Sequence, residues 1–186
     1  QGLNSFGITI TGTGSVTIHS GDVSTDAPIT DAVQLTGGTI GGTLGDLTTS
    51  GTGADGIVTN STGDTTLTVG NISGLHNGGI AANLTTSGSG TLDFTVGDIT
   101  VGFGQGILAT AGGNSTITAG NINSGTTAIN SVVGGTNSIT AGTVTANGVF
   151  GIFGQGTSVS ITTNGVSNAG GTAVQATSTA GDVTIR

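Results

Sequence analysis

Apolar and polar residues alternate along this chain in short runs that return at a nearly fixed interval. The run Ser115-Thr-Ile-Thr-Ala-Gly-Asn-Ile122 recurs as Ser138-Ile-Thr-Ala-Gly-Thr-Val144, Thr66-Leu-Thr-Val-Gly-Asn-Ile72 and Asp93-Phe-Thr-Val-Gly-Asp-Ile99. Within each run the inward positions lie two apart: Ile18/Ser20, Leu67/Val69, Phe94/Val96, Ile117/Ala119, Ile139/Ala141 and Ile161/Thr163. A period of two is the mark of a strand with one buried face. A second, shorter strand follows, centred on Val23, Leu47, Ile72, Ile99, Ile122, Val144 and Val166, which are spaced 24, 25, 27, 23, 22 and 22 residues apart. A third is marked by a small residue before a second apolar one: Ala32-Val33, Gly56-Ile57, Gly79-Ile80, Gly106-Ile107, Ala128-Ile129, Gly151-Ile152 and Ala173-Val174. No segment has helical periodicity. Repeats of this length stack as a solenoid, because one repeat cannot bury its apolar face alone. The pattern predicts an all-β, right-handed parallel β-helix with three short strands per rung and about seven to eight rungs of 22–27 residues, residues 1–186 forming a single β-helix domain.

The turns divide into constant and variable ones. First and second strands are always five residues apart, with Gly21, Gly45, Gly70, Gly97, Gly120 and Gly142 at the corner and Asn164 in the seventh place. Asn is the non-Gly residue that best tolerates the left-handed region, so the sequence predicts a left-handed corner. The other two connections vary, with insertions at 25–31, 83–91 and 73–78, the last carrying His76. Gly42 stands where other rungs place Ile or Phe, which makes the first strand of the second rung the poorest match.

Composition narrows the functional classes. The 186 residues include 39 Gly, one Pro (Pro28), one Arg, no Lys and no Cys, with a net charge of −8. Such a mix suggests disorder, but the β-branched residues are periodic and Gly falls at recurring turns. A single cation gives no footing for nucleic acid or for anionic membranes. No stretch approaches the roughly 18–20 apolar residues of a spanning helix. Without Cys there is no disulfide or thiol chemistry. A cysteine-free chain also passes easily through a secretion pore. Gln1 falls in the middle of an apparent rung, so the chain reads as a mature segment or an excerpt.

Three constellations could carry chemistry. The residue after the corner reads Asp22, Asp46, Asn71, Asp98, Asn121, Thr143 and Gly165, a ladder in which Asp22, Asp46 and Asp98 are candidate calcium ligands. The Gly-Gly-x-Gly-x-Asp nonapeptide of calcium-binding solenoids is absent, and Asp or Asn after Gly equally stabilises a turn. Outward hydroxyl pairs form a second array: Thr66/Thr68, Thr116/Thr118, Ser138/Thr140 and Ser160/Thr162, interrupted by Thr17/His19, Gly41/Thr43 and Asp93/Thr95. A flat Thr-x-Thr lattice would suit ice, although Thr is also simply a good strand former. Third, Phe103-Gly-Gln-Gly106 and Phe153-Gly-Gln-Gly156 read as one repeated motif, and alternation predicts an outward apolar stripe of Val58, Ala81, Leu108 and Phe153. Phe103, Leu108, Phe150 and Phe153 are the candidate partner-binding residues. Four Asn-x-Ser/Thr sequons (Asn60, Asn71, Asn83, Asn114) are what such a composition yields by chance. No catalytic residue is assigned: Asp residues scatter, Arg186 is terminal, and His19 and His76 fall two rungs apart on different faces.

The Gly-Asn-Ile and Ser-Ile-Thr-Ala-Gly-Thr-Val rungs, the richness in Thr, Gly and Asn and the lack of Cys resemble the passenger β-helices of bacterial autotransporters and filamentous-haemagglutinin-like surface proteins. The resemblance covers the whole chain at the level of architecture and transfers no site residue. It implies secretion to the bacterial cell surface and a non-catalytic role as stalk, adhesin or self-associating fibre, with host or neighbouring cell surfaces or glycans as partners. The alternatives are an ice-binding solenoid and a polysaccharide-active β-helix enzyme. No cofactor is expected beyond calcium at the Asp ladder. Residues 3–10 and 182–186 read as strand without a cap, so the rod is expected to continue or to stack end to end.

Overall fold

In the computed structural model, residues 7–26, 30–74 and 78–186 are described. Among them every element is a strand and every pairing is parallel. They stack as a β-solenoid of about seven turns. Third strands, from Ile8–Thr11 through Val33–Gly37 to Thr172–Ser178, form an eight-stranded sheet. First and second strands share a thirteen-stranded sheet. At about 4.8 Å per strand, eight stacked strands span roughly 34 Å.

Strict register turns each inward position into a column. One runs Ile18, Gly42, Leu67, Phe94, Ile117, Ile139, Ile161. A second is the predicted Val23-to-Val166 series, and a third runs Val33, Ile57, Ala82, Ile107, Ile129, Ile152, Val174. Leu67, Phe94, Ile117, Ile122 and Ile107 are 0–1 % exposed. Each such side chain contributes about 1.5–3 kcal/mol through removal from water. Gly42 does not break its strand. Thr39–Leu44 pairs on both sides, with Gly42 at φ +136°, and a Cβ there would collide with the carbonyl oxygen of Ile18.

The structure corrects four expectations. In the third rung Ala81-Ala82, not Gly79-Ile80, aligns with Gly56-Ile57. Ala81 is therefore buried and Asn83 takes the outward place. The expected loop at 83–91 begins with strand, since Ile80–Thr86 is continuous. Three separate strands per turn hold only as far as the fifth; Thr136–Ala146 and Ser158–Asn168 run unbroken through the corner. There Thr143 and Gly165 replace Asp or Asn, and a β-branched Thr lets the ladder continue. Finally, the corner glycines between Gly45 and Gly142 have no left-handed φ. The opening part of the predicted strand at 3–10, Pro28 and His76 lie outside the described residues, whereas Val183–Ile185 does form the start of a further turn.

Candidate functional site

The corner ladder is built from hydrogen bonds along the rod axis. Oδ1 of Asp22 accepts the backbone N–H of Asp46 at 2.9 Å, and Oδ1 of Asp46 accepts that of Asn71 at 2.7 Å. Asn71 accepts from Asp98 at 2.8 Å, Asp98 from Asn121 at 2.7 Å and Asn121 from Thr143 at 3.0 Å. This explains the corner glycines. A Cβ on Gly97 would lie 2.5 Å from Oδ1 of Asn71, and one on Gly142 would lie 2.7 Å from Oδ1 of Asn121. The ladder side chain of one turn occupies the space where the next turn would carry a side chain. Asn164 is allowed because Thr143, one turn earlier, has no Oδ1 to fill that space.

Of the calcium candidates, Asp22 and Asp46 sit on adjacent turns, and Asp98 lies two turns beyond Asp46 with Asn71 between. One oxygen of each is held by a backbone N–H. Among the described residues no group of three or more His, Cys, Asp or Glu could hold a metal ion.

Two further ladders escape the sequence reading. Asp31 accepts from the Asp55 N–H at 2.9 Å and Asp55 from the Ile80 N–H at 2.7 Å. Asp64 accepts from the backbone N–H of Thr91 at 2.8 Å and from its hydroxyl at 2.9 Å. These two bonds, the backbone one first, hold the Asp64 carboxyl below its ordinary value. At the equivalent place two turns further on, Asn114 accepts from the Thr136 N–H at 2.9 Å. The available signal was a lone Asp or Asn shortly before a strand, a third strand for Asp31 and Asp55 and a first strand for Asp64 and Asn114.

The Thr array divides into two columns on the thirteen-stranded sheet. One is continuous: Thr43, Thr68, Thr95, Thr118, Thr140 and Thr162 follow one another in register, headed by His19, whose Nδ1 is 3.0 Å from the Thr43 hydroxyl. The other contains Thr66 and Thr116 but is broken by Gly41 and Asp93.

On the outer face of the eight-stranded sheet the predicted apolar stripe is an alternation: Val58, Asn83, Leu108, Asn130, Phe153, Gln175. The neighbouring column reads Asn60, Thr85, Thr110, Val132, Gln155, Thr177. Phe150 packs beside Phe153 with ring centroids 5.1 Å apart. Phe103 is not a second copy of Phe153. It lies in the turn before strand Gln105–Ala111, 67 % exposed, whereas Phe153 lies within Phe150–Gly156. Thr36, Asn60, Thr62, Thr85 and Ser87 line a groove of about 480 Å³ at the edge of this face.

No family model matches the chain, and neither a curated protein nor a solved structure matches it.

Proposed function

We propose that the chain is a non-catalytic structural and adhesive module of a bacterial surface protein, a stiff extracellular stalk whose outer faces make the contacts. The observation that carries this reading is the placement of the acidic groups. Asp22, Asp31, Asp46, Asp55, Asp64 and Asp98 each accept the backbone N–H of a neighbouring turn. Acid–base chemistry on a glycoside needs two carboxylates facing each other across the scissile bond. Here they are strung along the axis, where they tie successive turns together. The secreted, bacterial setting rests on the resemblance of the rungs to autotransporter and filamentous-haemagglutinin-like passengers and on the lack of Cys. Beads coated with the folded chain should adhere to host or bacterial cell layers more than beads coated with the denatured chain. No excess adhesion, or turnover of pectin-like substrates with or without calcium, would overturn the reading.

A second reading is favoured by one observation, the unbroken column of six threonines from Thr43 to Thr162. One hydroxyl and one methyl per turn at about 4.8 Å make a regular lattice that suits ice. Thermal hysteresis in the purified chain, abolished by Thr118→Tyr, would establish it; none in the wild type would remove it.

A further inference from the structure

We propose that the outer face of the eight-stranded sheet binds an uncharged polysaccharide laid along the rod axis, an assignment that rests on the adhesive reading above. A pyranose has an apolar C–H face and a rim of hydroxyls. It is recognised by flat apolar or aromatic surface interleaved with groups that both donate and accept hydrogen bonds. Carboxamides do both. In-register stacking places these two kinds of residue in alternation: Leu108 and Phe153 stand two turns apart with Asn130 between them. Phe150 enlarges the ring surface at Phe153. Asn130 is partly exposed, yet its Oδ1 has no hydrogen-bond donor within the protein. That oxygen is shielded from solvent, and only by turning the amide would it accept from a ligand hydroxyl.

The same face continues into the groove, whose volume of about 480 Å³ falls within the range of ligand sites. Its threonine and serine hydroxyls and the Asn60 amide sit within a mostly apolar lining of methyl and glycine Cα groups, which matches the hydroxyl rim and the C–H face of a sugar ring. A polymer can occupy the groove and the Leu108–Phe153 track together, because Asn60 and Thr85 belong to both the groove and the second outward column. Charge selects the class. Both columns are free of charged residues, and the chain carries −8 overall, so an acidic polymer is repelled while a neutral one is not. A protein partner fits less well, since intervening amides cut the apolar surface into single residues instead of a continuous patch.

Native-gel electrophoresis of the full chain in gels containing dextran, laminarin, hydroxyethyl cellulose or galactomannan tests this, with polygalacturonate and heparin as acidic controls. At least one neutral polymer should retard the chain, and both acidic ones should not. Phe153→Ala and Gln155→Ala should each weaken the retardation constant about tenfold. Both side chains lie outside the core, and circular dichroism of each variant verifies the fold. Thr118→Tyr, on the other sheet, should leave retardation unchanged. Retardation by acidic polymers alone, retardation insensitive to both substitutions, or none by any neutral polymer would overturn the assignment. Adhesion of coated beads that persists without polysaccharide binding removes this inference and leaves the adhesive role standing; absence of both retardation and adhesion removes both.

Discussion

Gly97 shows how a single position records its neighbour one turn away. Its backbone has no left-handed φ, yet a Cβ would lie 2.5 Å from Oδ1 of Asn71. Gly97→Ala should therefore cost about 1–3 kcal/mol, as overpacking does, and calorimetry on the variant checks it. Asn71→Ala in the same chain should recover part of that loss by vacating the space. The recurrence of Gly was legible in the sequence. Its cause was not, because a left-handed corner and a side chain from the previous turn leave the same trace in one rung. Asp64 gives a pH dependence. Its carboxyl is held below the ordinary value by Thr91, so it binds its proton less tightly folded than unfolded. Its contribution is thus complete above the unfolded-state pKa and disappears as pH falls through the lower folded one. Melting temperatures measured down through the acid range should fall more steeply for the wild type than for Asp64→Asn, which keeps an acceptor but does not titrate.

Within an element, alternation decides what a substitution costs. Ile117 and Thr118 are adjacent on Ser115–Ala119, but the first is fully buried and the second exposed. Ile117→Asp places an unpaired charge between Phe94 and Ile139 and should destabilise by about 3–5 kcal/mol, whereas Thr118→Ala should stay within about 0.5 kcal/mol. Chemical denaturation of the pair checks both. First and second strands were readable because their spacing never changes. Third strands follow turns of variable length, and there the reading slipped by two residues at Ala82. A two-residue slip keeps the parity of the pleat, so Ile80 looked as plausible as Ala82 by pattern alone. The same weakness joined Phe103 to Phe153, whose shared Phe-Gly-Gln-Gly spelling falls at different points of the turn.

On the scale of the molecule, every outward column exists only if successive turns keep the register described here. The chain has no Cys, so cysteines introduced at Thr43 and Thr162 would be the only thiols and would carry spin labels at defined points of one column. Five turn spacings separate them, roughly 24 Å at about 4.8 Å each. Double electron–electron resonance on the doubly labelled chain should give a single narrow distribution near that distance, broadened only by the label linkers. A broad distribution, or one centred well beyond it, would contradict the stacked register and with it each of the surface columns.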